Sequence, residues 1–279
     1  MEGELATRQA YRAPGRLARG VCGTRRDLRY RRAVSSQLPP ASRRFDRLDA
    51  LRGGAIVWMA VFHFAFDLNH FGLVARQNFH TDPLWTVQRA CIVSLFMFCA
   101  GLSQAAAARQ GLGWPRFWRR WAQVAGCALL VTAGSWIMFP RSYITFGVLH
   151  GLAVMLVVAR LSAGWSAWLW PLGALAIALP RFAANPFFDA PALSWIGLVT
   201  HKPVTEDYVP LLPWMGAMWW GMAAGQWLLA NHAPVLQGAL PAAMRPLAVL
   251  GRWSLSFYML HQPILIGALM LWLHWRRAA

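Results

Sequence analysis

The chain has 279 residues, of which 57% are hydrophobic and 13% are charged, and its mean hydropathy is +0.37. Soluble domains carry about 25% charged residues, so this composition excludes an ordinary soluble protein and indicates a surface that mostly faces lipid. The formal net charge is +17, but 11 of the 27 basic residues lie before Phe45. We therefore expect a lipid-embedded core preceded by a short basic segment.

Residues 1–43 form the basic segment, and they lack the apolar stretch that a secretory signal needs. Basic tails occur in nucleic-acid-binding proteins. We favour a disordered cytoplasmic tail that follows the positive-inside rule, and we expect no nucleic-acid partner. An organellar presequence and a misassigned start are the remaining alternatives.

Seven apolar segments follow in chain order, and each approaches the length of about 20 residues that a transmembrane helix needs. They lie at residues 50–68, 84–107, 121–139, 144–161, 165–180, 210–230 and 247–272. The fifth segment is short, and the seventh is long enough to tilt or to bend at Pro263. The sequence thus predicts an all-α, polytopic transmembrane helical bundle of about seven to eight spans, within a domain of residues 44–275.

The basic loops set the expected orientation in the bilayer. If the spans alternate, the tail, the loop after the second span and the segment before the seventh span all fall on one side. The arginines of that loop and that segment are Arg109, Arg116, Arg119, Arg120, Arg245 and Arg252. The positive-inside rule makes this side cytoplasmic. Arg276 and Arg277 would then end outside, a conflict that an eighth membrane-embedded segment would resolve.

The cysteines and the familiar enzyme motifs give no soluble-enzyme assignment. Three of the four cysteines lie in apolar runs without a partner at metal-ligand spacing, so we expect neither a zinc site nor a disulfide framework. The chain has no phosphate-binding Gly-rich loop with Lys, no GxSxG and no HExxH. Gly221 and Gly225 form a GxxxG pattern, which predicts close helix packing.

Ionisable residues are costly at membrane depth, so they are default functional candidates, and the first span holds four: Asp49, Arg52, His63 and Asp67. Arg52 and His63 are eleven residues apart, which places them on one helix face at a separation of roughly 16 Å. His63 and Asp67 are an i, i+4 pair, whose side chains can meet. One stripe of this helix thus carries a cation near the cytoplasm and an imidazole deeper in the membrane.

This stripe is suited to acyl transfer from a cytoplasmic donor. Arg52, with Asp49 beside it, would seat a phosphate of an anionic donor. His63 would accept a proton from an attacking hydroxyl or amine, and Asp67 would orient its imidazole. The alternative is a helix-packing network in which His63 bonds a neighbouring helix and Asp49 and Arg52 form an interfacial pair.

Other ionisable residues are candidates for the lining of a cavity. His150 and His261 lie in the fourth and seventh spans, and each alone is as consistent with a packing hydrogen bond as with a site. Arg89, in the second span, either snorkels outward or pairs with Asp67. Asp207 precedes the sixth span and is a helix-start or acceptor-side residue. His80 lies in the first external loop, where a histidine is either solvated or part of an acceptor site.

Several short motifs, spread in order from about residue 44 to residue 267, resemble those of bacterial membrane acyltransferases related to heparan-alpha-glucosaminide N-acetyltransferase. They are RLDALRG (47–53), FHF (62–64), FDLN (66–69), SLF (94–96), GLS (101–103), FGVLH (146–150), DYVPLLPW (207–214), LGRWSL (250–255) and YMLHQP (258–263). Together they cover nearly the whole predicted membrane core.

The resemblance implies transfer of an acetyl group from cytoplasmic acetyl-CoA, or another acyl-CoA, to a sugar or glycan amine or hydroxyl across a bacterial inner membrane, with no metal. In the wider group of membrane acyltransferases an Arg and a His with this spacing are the usual motif, which Arg52 and His63 match. In the heparan-type enzyme the active histidine lies in the loop before the second span, and His80 is its counterpart here. We favour His63, because it is buried.

Two other classes of protein remain as alternatives. A proton-coupled transporter would use the same buried groups as a relay, although no paired inverted repeats are evident. A non-catalytic membrane scaffold would need these groups for packing alone.

Overall fold

A computed structural model of the protein describes residues 45–278. The predicted basic tail therefore lies outside the described residues. Within residues 45–278 the chain forms nine α-helices with four short 3₁₀ helices between them, and one isolated bridge joins Phe146 to Tyr208. The prediction of an all-α protein is confirmed for this part of the chain.

The α-helices are numbered in chain order. They are α1 Asp46–His70, α2 Pro83–Arg109, α3 Trp114–Met138, α4 Val148–Leu161, α5 Leu169–Phe182, α6 Leu211–Asn231, α7 Ala233–Gln237, α8 Arg245–Arg252 and α9 Ser254–Ala278.

Four of the described helices, α1, α2, α3 and α9, are long and apolar enough to cross a membrane, as expected of an integral membrane protein. A fifth candidate is α4 together with Ala163–Phe182, a pair bent by 102°, which is either a broken span or a re-entrant loop. The predicted count of seven to eight spans is not confirmed. Both α4 and α5 have only 14 residues, about 21 Å of helix, against a hydrocarbon core of about 30 Å.

Glycines bring the backbones of α2 and α6 into close contact. A Cβ atom added to Gly101 would overlap the carbonyl oxygen of Met218, and one added to Gly221 would overlap that of Phe98. Gly225 lies against Ala105 in the same way. The close packing predicted from the GxxxG pattern is confirmed, and it occurs because only glycine lets two helix backbones come this near.

A second close contact holds the start of α1 against α8. A Cβ atom on Gly53 would overlap the carbonyl oxygen of Leu247, and one on Gly251 would overlap that of Asp49. The last helix, α9, packs against α1 but leaves most of its apolar length exposed, including Ile264, Met270 and Leu271. An exposed apolar helix of this length is suited to lipid contact.

Candidate functional site

The cytoplasmic end of α1, in the predicted orientation, carries a network around Arg52. Its Nη1 donates to Oδ1 of Asp49 at 3.1 Å and to the carbonyl of Gly251 at 3.3 Å. Its Nη2 donates to Oγ of Ser103 at 2.6 Å. The i, i+3 spacing that suggested the pair with Asp49 is thus realised in the structure. The guanidinium joins α1, α2 and α8.

Arg252, at the end of α8, extends this network towards the surface. Its Nη2 lies 2.7 Å from Oδ1 of Asp46, and its Nε lies 3.7 Å from Oδ2 of Asp49. The side chain of Arg252 is 36% exposed, against 17% for Arg52. Arg252 is therefore the more accessible cation of the two, and sequence reasoning gave it no role in the site.

The other end of α1 brings His63 against His261 of α9, with ring centroids 5.2 Å apart. Nδ1 of His261 lies 2.7 Å from the carbonyl oxygen of Tyr258. A carbonyl only accepts, so Nδ1 carries the hydrogen and Nε2 is left as an acceptor. Nε2 is buried without a partner, and the imidazole of His63 has no hydrogen bond within the described residues. The predicted general base, His63, thus lies beside His261, one of the predicted cavity-lining residues.

Asp67 lies one turn beyond His63 and is almost fully buried, at 3% exposure. Its Oδ1 accepts a hydrogen bond from Nε2 of Gln262 at 2.8 Å, and its Oδ2 has no partner in the described part of the chain. The predicted hydrogen bond between His63 and Asp67 is not formed. Gln262, from α9, holds the carboxylate instead, while the ring of His63 faces His261.

His150 belongs to a separate cluster at the start of α4. Its Nε2 lies 3.0 Å from Oγ1 of Thr132, whose own hydrogen goes to the carbonyl of Ile144. Its Nδ1 accepts from the backbone N–H of Gly147. These bonds define a neutral ring with hydrogen on Nε2. Both nitrogens are satisfied, and no ring contact or hydrogen bond joins His150 to His63.

Asp207 caps the same helix, since its Oδ2 accepts from the backbone N–H of Val148 at 2.7 Å. Gly147 is needed here because a Cβ would overlap this carboxylate. Burial raises the pKa of Asp207, while the bond from Val148 and the charges of Lys202 and Arg89 act in the opposite direction. Asp207 thus caps the start of α4 and not the start of α6, the span that it precedes in sequence, and two cations lie within electrostatic reach of it.

Arg89 is exposed on α2 and makes no ion pair with Asp67 among the described residues. Its positive charge acts electrostatically on Lys202 and Asp207 in the loop before α6. Burial, and after it the charge of Arg89, lowers the pKa of Lys202. Of the two alternatives for Arg89, the geometry favours an outward-facing side chain near Lys202 and Asp207.

His80 lies in the loop between α1 and α2 and is exposed. Its backbone N–H donates to Oδ1 of Asn78. A largely polar cleft of about 840 Å³ opens beside it, with Asn69, Arg76 and Gln77 in its lining. The structure places His80 at this surface cleft and not with His63 and His261. Among residues 45–278, no three His, Cys, Asp or Glu side chains are grouped to hold a metal ion.

Comparison with known families decides the assignment of the chain. The sequence model for heparan-alpha-glucosaminide N-acetyltransferase, catalytic, matches residues 44–263. The chain belongs to this family. The resemblance given by the short motifs is therefore confirmed, and the matched range contains Arg52, His63, Asp67 and His261. Searches of curated proteins and of solved structures found no match.

Membership of the heparan-alpha-glucosaminide N-acetyltransferase catalytic family supports membrane acetyltransferase chemistry. Three side chains that sequence reasoning left without a role adjoin the predicted residues: Ser103, Arg252 and Gln262. Gln262 stands directly after His261, and Arg252 lies in the LGRWSL motif. Their positions in the motifs were the available signal, but their partners lie too far away in sequence for spacing to identify them.

Proposed function

We propose that the protein transfers an acetyl or similar acyl group from an acyl-CoA donor to an amine or hydroxyl of a glycan or lipid-linked sugar. Family membership supports the reaction class. The observation that carries the proposal is the pair of imidazoles, His63 and His261, 5.2 Å apart between α1 and α9. A buried imidazole with an unpartnered nitrogen beside a second imidazole can take up a proton.

In the proposed reaction His63 acts as general base. The acceptor nitrogen or oxygen attacks the thioester carbonyl and His63 takes its proton. The carbon–sulfur bond then breaks, and the departing sulfur takes this proton from the imidazolium of His63 to leave as the thiol, which restores the base. Nε2 of His261 is an acceptor held in place by Tyr258. It would receive a hydrogen bond from the imidazolium of His63, so we assign to His261 the orienting role first expected of Asp67.

The network at the start of α1 would form the donor end. Arg52 bonds Asp49, Ser103 and Gly251, so it organises this end. Arg252 is also paired with acidic residues, but its greater exposure makes it the better placed of the two to meet a donor phosphate. A guanidinium recognises phosphate through paired N–H donors. The rise of α1 from Arg52 to His63, roughly 16 Å, then sets the scale of the distance that the acyl-bearing arm of the donor has to cover from this end.

We further propose that the N-terminus and the α2–α3 loop face the cytoplasm, in a bacterial inner membrane, and that the bent α4–α5 segment and α6 add to the membrane-embedded part. The arginines of the α2–α3 loop and of the start of α3 support this orientation. Labelling of single cysteines with an impermeant maleimide in intact cells tests it. A cysteine at Gln110 should stay unlabelled and one at Thr200 should react.

The test of the reaction uses purified full chain, labelled acetyl-CoA and a panel of amino sugars and neutral sugars. His63→Ala should abolish transfer, whereas His80→Ala should keep most of it. Equal unfolding temperatures would show that both variants are folded. Wild-type transfer by His63→Ala, or loss confined to His80→Ala, would remove His63 from the mechanism.

One observation favours a second candidate, a proton-coupled transporter. Two buried titratable atoms, Oδ2 of Asp67 and Nε2 of His261, lack partners in the described residues, and carboxyl and imidazole groups can carry protons through a membrane. Proteoliposomes with a pH gradient separate the two functions. Solute flux that follows the gradient without acyl-CoA would support the transporter.

A further inference from the structure

The first two turns of α3 carry three arginines that no proposed step of the reaction uses: Arg116, Arg119 and Arg120. We call them the arginine patch. Their spacing of i, i+3 and i+4 places them on one helix face, and all three are exposed. The patch is therefore a concentrated positive surface at one end of a candidate membrane span.

No acidic side chain balances this charge. The sequence contains no Asp or Glu between Asp82 and Asp189, and none of the three arginines forms an ion pair within residues 45–278. Arg160, by contrast, is used internally: it bonds the carbonyl of Leu112 and lies over the ring of Trp114 at 5.2 Å. The guanidinium groups of the patch are thus exposed and without an acidic partner among residues 45–278, so they are open to an anionic ligand.

The face that bears the patch continues along α3 as an apolar, outward-facing stripe. Leu130 and Ile137 lie on it at 64% and 80% exposure, at helical positions in line with the arginines. The ten residues from Arg120 to Leu130 span about 15 Å, half the thickness of the hydrocarbon core. When Leu130 lies near the middle of the bilayer, Arg120 lies at the level of the lipid headgroups.

Aromatic side chains hold this end of α3 at the membrane surface. The rings of Trp114 and Trp118 stack with centroids 6.0 Å apart and are both exposed, as is typical of residues at headgroup depth. The indole N–H of Trp121 donates to the carbonyl of Ala153 at 2.9 Å and so ties α3 to α4. These contacts fix the direction in which the patch faces.

We propose that the arginine patch binds the phosphate groups of anionic phospholipids. Guanidinium groups bind phosphate through paired hydrogen bonds, and a lipid whose chains cover the stripe as far as Leu130 brings its headgroup to the patch. The phosphates of a CoA donor have the same chemistry, but they do not come with chains that cover this stripe. The inference requires membrane insertion only, so it is independent of the proposed acyl transfer.

Native mass spectrometry of the purified full chain tests the proposal. The protein is titrated with phosphatidylglycerol or phosphatidylcholine, and the apparent Kd of the first bound lipids is measured. An arginine near an anionic surface contributes on the order of a fivefold change in affinity. We expect R116Q/R119Q/R120Q to lower the preference for phosphatidylglycerol by tenfold or more, and each single variant to lower it severalfold.

Two further variants separate this site from charge in general. R116K/R119K/R120K keeps the charge but loses the paired N–H donors, so it should keep only part of the preference. R76Q/R141Q/R181Q removes three exposed arginines elsewhere and should leave the preference unchanged. Lipid bound by the basic tail contributes equally to all variants. An unchanged preference in the single and triple glutamine variants would overturn the proposal. Displacement of phosphatidylglycerol from the wild type by free CoA would also overturn it, in favour of a nucleotide site.

Discussion

The side-chain amide of Gln262 donates to Oδ1 of Asp67 at 2.8 Å and joins α9 to α1 beside the two histidines. Asp67 is 3% exposed, and Gln262 is the one hydrogen-bond partner of its side chain within residues 45–278. A carboxylate in this setting depends on that bond, because a buried charge without hydrogen bonds is costly. The bond therefore holds α9 against α1. It also determines whether the carboxylate of Asp67 is free to orient the imidazole of His63.

Loss of the donor at position 262 should destabilise the protein. Gln262→Leu leaves the carboxylate of Asp67 buried without a partner, at a cost of about 1–3 kcal/mol. The unfolding midpoint in one fixed detergent measures this effect. The double variant Asp67→Leu/Gln262→Leu removes both partners and should recover much of the loss. If the two substitutions instead lowered stability additively, the loss of this hydrogen bond would not explain the destabilisation of Gln262→Leu.

Substitution of His261 should impair catalysis more than substitution of Asp67. His261→Ala removes the acceptor beside His63, and we expect kcat to fall about 100-fold with little change in KM, since general-base catalysis contributes on the order of 10²–10⁴. Asp67→Asn should cost less than tenfold, because Gln262 already holds the carboxylate away from His63. The comparison uses initial rates of acetyl transfer with saturating donor. A larger loss for Asp67→Asn would return the orienting role to the carboxylate.

Gly53 and Gly54 are adjacent on one turn of α1, so their alanine substitutions form a matched test and control. Gly53→Ala places a Cβ against the carbonyl of Leu247, so α8 has to move and the bonds of Arg52 weaken. We expect a loss of about 1–3 kcal/mol, as for other overpacked sites. A Cβ on Gly54 meets nothing within 4 Å, so Gly54→Ala should be neutral or stabilising by about 0.5–1 kcal/mol. Similar unfolding midpoints for the two variants would contradict the close contact with α8.

Asp207 should make stability depend on pH in an unusual direction for a carboxyl group. Burial raises its pKa above 3.8 in the folded protein, so the folded state binds a proton more tightly than the unfolded chain does. Acidification from the raised pKa down to about 4 therefore favours folding through this group, and a rise in pH removes that contribution. Asp207→Asn keeps an oxygen for Val148 but cannot titrate.

The unfolding midpoints of the wild type and Asp207→Asn, measured from pH 7 to pH 4, test this expectation. The difference between the two proteins isolates the contribution of Asp207 from all other titrating groups. The wild type should gain relative to the variant as the pH falls. A relative loss on acidification would mean that the carboxylate is stabilised as the anion in the folded state.

Hydropathy predicted the long helices well and the interrupted ones poorly. The first three predicted spans fall within α1, α2 and, but for one residue, α3, because a continuous apolar run of about 20 residues has few alternatives to a membrane helix. The 102° bend after α4 and the break between α8 and α9 escaped prediction. Both depend on how neighbouring helices pack, which local composition does not encode.

The two ends of the candidate site likewise differ in whether local sequence spacing predicted their contacts. Asp49 and Arg52 meet as their i, i+3 spacing predicted, since local helix geometry alone brings them together. His63 and Asp67 are equally local, but Gln262, 195 residues away in sequence, takes the carboxylate. The pairing of His63 with His261 likewise depends on where α9 packs. Spacing within a helix states which side chains can meet, and the tertiary structure decides which do.

The glycine contacts give part of the bundle a closely packed frame, to which α9 does not contribute a glycine contact. Gly101 and Gly221 bring the backbones of α2 and α6 together, so those helices cannot rotate past each other without a clash. The same holds for α1 against α8 at Gly53. His63 is thus fixed to the frame, whereas His261 belongs to the largely exposed α9. The distance between the two imidazoles therefore reports displacement of α9. Paired spin labels on α1 and α9 would measure this displacement as substrates enter.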